Sequence, residues 1–398
     1  MAEAQVQVTR RTRSIRATIV VAALAMVAVL SGCQPTDLRT LASDQMQGRA
    51  NLSPGSALAR AYIVDRLEAH AEGANASATG DAAYVQPFAR GTNIVAVIPG
   101  TDLADQYVMI GAHYDHLASE NCSTAIASDT ICNGATDNAA GVSAVLNVVD
   151  ELGAKPPRRS VIVALWDAEE EGRGGSKFYA ANPLIPLADT VAYVNIDMQG
   201  ADLLPSLRNT TFAVASETGG AQLQGLVTDA AHRSPLDVAI LSNVFGAGYS
   251  DQSSFIPKSI PSVFFTDSAA GCYHTAQDSV AVVDWGKLER QRKMLLDVVG
   301  HLTNDDAKPA FVSGTPLATF EDVRQFKRIV DTSSVDIKIH SVADQQLVAS
   351  IRTRVNEVFA AGPSKFDSAA ANKFLLAALD SNHVLERDPC NGGYQHAH

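Results

Sequence analysis

Short apolar runs alternate along this chain with longer stretches of mixed polarity. The runs "TNIVAVIPG" (92–100), "QYVMIGAH" (106–113), "RSVIVALW" (159–166), "TVAYVNID" (190–197), "TFAVAS" (211–216) and "PSVFFTD" (261–267) are bounded by Gly, Pro or polar residues. Brevity and β-branched content mark them as strands covered on both faces. Between them, residues 137–153, 174–182, 218–233 and 285–303 carry helix-like patterns. The alternation predicts an α/β fold, a three-layer sandwich with a mostly parallel central sheet. Residues 201–260 hold longer Gly- and Ser-bearing connections, expected to form a loop region over a site. From about residue 304, "NDDAKPAFVSGTP" reads as a linker, so residues 33–303 form the main unit and 304–398 a linker with a small helical C-terminal appendage of illegible role. The terminal "QHAH" reads as a frayed polar end.

The polar residues recur at one place in this pattern. In open α/β sheets, ligands bind beyond the carboxyl ends of the strands. After "YVMIGA" comes "HYDH", with His113, Asp115 and His116; after "VIVALW" come Asp167 and Glu169 to Glu171; after "VAYVNI" comes Asp197; past "SVFFTD" lie Tyr273 and His274. Asp137, in "NGATDNAAG", falls at the expected N-cap of the 137–153 helix. Each has an ordinary structural reading alone, as a cap, a core histidine or a solvated turn. Together, two histidines and three carboxylates on one sheet edge match the ligands of hard-to-borderline divalent metals. Five such ligands overfill one metal, whereas two metals about 3.5–4 Å apart, sharing a carboxylate, use all of them.

Composition and charge narrow the partners. The first 32 residues place Arg10, Arg11, Arg13 and Arg16 before an apolar run and "LSGC", an arrangement that resembles a bacterial lipoprotein signal with Cys33 as the acylated residue. Membrane attachment through lipidated Cys33 and a cell-envelope location follow as expectations. Without that segment 27 basic side chains face 42 acidic ones, a net charge of −15, which excludes nucleic acid as a natural partner. Cys122, Cys132, Cys272 and Cys390 remain, an even number in an oxidising compartment. Three pairings are open; Cys122 with Cys132 closes the shortest loop and leaves Cys272 with Cys390.

In order and spacing, "LASDQMQGR", "SPGS", "GAHYDH", "GATDNAAG", "WDAEEEGRGGS", "NIDMQG", "YSDQSSF" and "YHTAQDS" resemble the M28 zinc peptidases over residues ~40 to 303. The resemblance implies a zinc-dependent exopeptidase fold and peptide substrates. It implies two zinc ions, one held by His113 and Asp197, the other by Glu170 and His274, with Asp137 bridging. It also implies Glu169 as general base, Asp115 as the partner orienting His113, and Tyr273 as an oxyanion stabiliser. Gln252 departs from the family, whose members often have histidine after "SD". An aminopeptidase is the expected activity. A carboxypeptidase or dipeptidase of the same fold, a glutaminyl cyclase, and a non-catalytic lipid-anchored binding protein are the alternatives; the oligomeric state is open.

Overall fold

The computed structural model describes residues 34–123, 129–269 and 272–387. The expectations for the signal segment, Cys33, Cys390 and the "QHAH" tail lie outside them. Nine described strands form one sheet: Glu72–Gly73 (β1), Val85–Phe88 (β2), Gly91–Ile98 (β3), Leu103–His113 (β4), Arg159–Trp166 (β5), Thr190–Ile196 (β6), Thr210–Val214 (β7), Asp237–Leu241 (β8) and Ser262–Thr266 (β9). Their order is β1-β3-β5-β4-β6-β9-β7-β8, with β2 also on β3. The centre, β5-β4-β6-β9, is parallel, and antiparallel pairs β3/β5 and β7/β9 join it to the outer strands.

The six apolar runs are the six inner strands because both faces of each are buried. Along β5, Val161, Val163 and Leu165 enter one core while Ile162, Ala164 and Trp166 enter the other. The period of two thus divides a continuous apolar string between two cores. The larger core is closed by helices Gln34–Leu41 (α1), Pro54–Leu67 (α2), Ala140–Ala154 (α3), Gly220–Arg233 (α5) and Trp285–Asn304 (α6). Helix Gly174–Ala181 (α4) lies on the opposite face with Phe255 and Ile260. Helices on both faces make the expected three layers.

Two features depart from the sequence reading. Strand β8, inside the 201–260 stretch read as loop, is a half-buried edge strand whose short "DVAIL" carries too little apolar pattern to stand out. Asp137 is not the N-cap of α3: the helix begins at Ala140, after a turn over Ala135–Ala139 in which Asp137 has non-helical angles. The physical reason is Asp278, whose carboxylate accepts from the backbone N–H groups of Thr136 and Asp137 and from Thr136 Oγ1. Its acceptance leaves the Asp137 carboxylate directed elsewhere.

Three helices follow the main sheet: Phe320–Ser333 (α7), Val342–Ala361 (α8) and Ser368–Arg387 (α9). They share a core built on Val330, Ile351, Val355 and Phe374, against which Val244 and Phe245 of the preceding loop region pack. Cys122 and Cys132 are joined by a disulfide, as expected. Cys272 is also disulfide-bonded.

Candidate metal centre

Strands β4, β5 and β6 deliver the site by ending at one level. His113, the last residue of β4, pairs in register with Trp166, the last of β5. Chain reversal beyond those ends turns Glu169, Glu170 and Asp197 onto the same edge. His113 Nε2 lies 3.1 Å from Asp137 Oδ1 and 3.4 Å from Asp197 Oδ1. On the other side of Asp137, His274 Nε2 lies 3.3 Å from Oδ2 and 3.1 Å from Glu170 Oε2. Asp137 therefore divides its two oxygens between two donor groups. One is His113, Asp137 and Asp197; the other is His116, Asp137, Glu170 and His274.

The five residues expected as ligands thus converge, in the grouping the resemblance implies. His116 joins them although no role was read for it: its Nδ1 is 2.7 Å from Glu170 Oε1 and 3.7 Å from Asp137 Oδ2. The signal was present in "HYDH", where the second histidine follows the same strand end. Metal fit is supported by the ring nitrogens. His274 Nε2 and His116 Nε2 are buried without an aligned hydrogen bond among the described residues, and unpaired buried polar atoms are rare in native folds. Nitrogen and carboxylate oxygen are the donors that zinc and its neighbours accept.

The surrounding hydrogen bonds hold these donors in place. His113 Nδ1 meets the backbone carbonyl of Asp115 at 3.0 Å, while the Asp115 carboxylate is 3.6 Å away. That carboxylate accepts from the backbone N–H groups of Glu169 and Glu170, so Asp115 also shapes the turn that presents both glutamates. Ser250 Oγ donates to Asp197 Oδ2 at 2.6 Å and accepts from Asn195, which in turn accepts from Tyr193. Gln252 enters the same network through its carbonyl, accepting from Asn195, and donates to the Gly246 carbonyl. Fully buried Arg49 donates to the carbonyls of Leu41, Tyr114, Asn133 and Gly134, tying together the segments that follow β4 and precede Asp137. These partners escape sequence reading because their roles depend on long-range contacts.

"WDAEEEGRGGS" resolves into four environments. Asp167 is buried and accepts from Thr92 N–H and Tyr114 Oη; burial pushes its carboxyl up to about 6. Glu171 is exposed and pairs with Arg90. Burial raises Glu169 well above the ordinary carboxylate range, with His113 opposing and Asp251, Asp197 and Glu170 reinforcing the rise. Burial and Asp137 act to raise Glu170 as well, yet His116 and His274 outweigh them and hold it down at about 2. Adjacent glutamates with divergent proton affinities are the pattern by which sites separate a proton carrier from a fixed anion.

A cavity of about 390 Å³ opens from the cluster, lined at this end by His113, Asp137, Glu169, Glu170, Asp197 and Tyr273. Tyr273 stacks on His274, ring centroids 3.6 Å apart.

A mixed sheet with a parallel centre, whose carboxyl edge gathers two nitrogen-and-oxygen donor groups around one aspartate, is similar in architecture to the zinc exopeptidases. The chain belongs to Peptidase family M28, whose model matches residues 93–299, just over half of its length. It is 30% identical over 208 residues to the probable glutamate carboxypeptidase AMP1 of Arabidopsis thaliana, an alignment covering 48% of this chain and 26% of that protein. With leupeptin-inactivating enzyme 1 of Streptomyces exfoliatus it shares 29% over 174 residues, 42% of this chain and 34% of the other. The chain thus spans about a third or less of the length of these curated relatives. In fold it is similar to the LapA aminopeptidase of Legionella pneumophila, with TM-score 0.52, 19% identity, and coverage of 68% of this chain and 72% of that one. A leucine aminopeptidase precursor of Bacteroides thetaiotaomicron gives TM-score 0.51 at 17% identity, covering 66% and 96%.

Proposed function

We propose that this protein is an aminopeptidase, removing N-terminal residues from peptides with two divalent cations, zinc first among them. The observation that carries the reading is the division of the Asp137 carboxylate between two donor groups. His113 and Asp197 would hold one cation, Glu170 and His274 the other, and Asp137 both. When bound, such a pair supplies an acidified water and a Lewis acid for the scissile carbonyl.

The chain's own residues do the rest. Glu169 belongs to neither donor group yet lines the same cavity. As general base it would take the proton of the attacking water and pass it to the leaving amine, a role its place on the cavity wall beside the donors supports. Tyr273, on the cavity wall, is the hydrogen-bond donor available to the developing oxyanion. The end preference rests on charge: of the four carboxylates in the cavity lining, Asp137, Glu170 and Asp197 belong to the donor groups and Glu169 does not, and no described lysine or arginine lines it. A free N-terminal ammonium meets an acidic lining there, whereas a C-terminal carboxylate meets no lysine or arginine to pair with.

The test is a panel of peptides with free or acetylated N-termini and free or amidated C-termini. Cleavage of free N-termini alone is expected; indifference to acetylation overturns the aminopeptidase reading, and pyroglutamate formation would mark a cyclase. We further propose acylation of Cys33 and residence in the cell envelope, supported by the Cys122–Cys132 disulfide. No helix among the described residues is long and apolar enough to cross a membrane. Labelled palmitate should enter the wild type and not Cys33→Ser; label in both overturns the assignment.

A further inference from the structure

The cavity that begins at the metal-donor cluster does not end in the peptidase sheet. Its far wall is made by the last three helices, through Phe326 and Ile329 of α7, Ile351 of α8, and Ala378 and Leu379 of α9. The chemistry changes along its length: four carboxylates and the His113 imidazole line one end, and the wall contributed by these helices is mainly apolar. We propose that the C-terminal three-helix unit is a substrate-selecting wall, and that the cavity takes a large apolar side chain next to the scissile bond. This rests on the exopeptidase reading and specifies the substrate class for the same site.

Four contacts support a fixed wall over a loosely tethered appendage. The Asp322 carboxylate accepts from both the N–H and the hydroxyl of Ser242, directly after β8, each at 2.7 Å. Arg328 pairs with Asp237 on β8, and Asp336 accepts from the Ser206 N–H at 2.9 Å. Ile329 belongs to the same buried cluster as Leu204, Leu207, Phe212 and Phe264 of the peptidase unit. The helices and the sheet edge therefore share one apolar lining, continuous with the reacting end. Its volume lies in the range of small-molecule sites and exceeds the space a short side chain needs. Tyr249 and Leu379, both on the lining, are 53% and 48% exposed, an apolar rim through which a side chain enters from solvent. Transfer of a large apolar side chain from water into such a lining is favourable, whereas an alanine leaves most of the cavity unfilled.

The test fills the cavity from the helical side. Ala378→Phe should lower kcat/KM for peptides beginning with leucine or phenylalanine at least tenfold, chiefly through KM, and leave alanine-initial peptides within about twofold. Leu379→Glu, at an exposed rim position that folding tolerates, should raise KM for the same apolar substrates several-fold. Equal losses on every substrate, or no change on any, overturn the wall. If the wild type cleaves the other peptide end, the aminopeptidase reading fails while the large-to-small ratio is still read at that end. If it cleaves neither, binding of the neutral apolar dye N-phenylnaphthylamine decides: weaker binding by Ala378→Phe sustains the wall, and equal binding overturns it.

Discussion

The two donor groups share one aspartate and differ in almost everything else. His113, Asp137 and Asp197 are all buried, with His113 1% exposed, and their outer faces are hydrogen-bonded to the Asp115 carbonyl, Ser250 and the turn held by Asp278. The other group has four donors instead of three, and its His274 side chain is 31% exposed. Three protein donors would leave a coordination position open, and His116, hydrogen-bonded through Nδ1 to Glu170, is what the second group has beyond three. Burial and donor number thus run in opposite directions: the deeper group has three candidate donors, and the more solvated group carries an extra histidine.

Removing the shared residue should collapse the distinction. Asp137→Ala is expected to lose metal from both groups and all measurable turnover; elemental analysis showing two metals at normal affinity would refute the bridge. His116→Ala separates the groups. If His116 completes or positions the second group through Glu170, the variant should weaken binding of one metal about 10–100-fold and leave the other unchanged. Competition with a chromophoric chelator reads the two affinities apart, and equal weakening of both would remove His116 from the comparison.

A smaller effect follows from protons. In the metal-free chain burial lowers the His274 pKa, but Asp137 and Glu170 outweigh burial and lift it to about 10. That group is raised above its unfolded value, so its contribution to stability is fully present below about pH 6.5 and is lost as pH rises through about 10. A cation must displace this proton, and apparent affinity should rise about tenfold per pH unit for each proton released near neutrality. Calorimetry in buffers of different ionisation enthalpy should find at least one proton released; none would contradict the placement of His274. Reduction of the Cys122–Cys132 disulfide frees the short loop between His113 and Asp137 and should cost about 3 kcal/mol in stability, read as a lower melting temperature.

The same comparison shows what could be read from residues alone. His113, Asp197 and Glu170 were legible because each lies at, or within four residues after, the end of a strand buried on both faces, where the apolar run stops and polarity begins. Asp137 was legible as a member of the set but not in its local conformation, because the acceptor of its backbone N–H is Asp278, 141 residues away. Ser250, Asn195 and Arg49 support the site through contacts between segments far apart in sequence, and no local pattern marks them. The last three helices show the limit most clearly. The residues alone read as a small helical appendage, but the face turned to β8 and the cavity is defined only by packing against Ser242, Asp237 and Phe245.

In the proposed site the neighbours Glu169 and Glu170 have opposite duties, one moving protons and the other holding metal. Metal content and turnover measured together on Glu169→Gln test this most directly. The expected result is two metals retained with kcat reduced about 10²–10⁴-fold; ordinary turnover, or loss of metal from the variant, would contradict it.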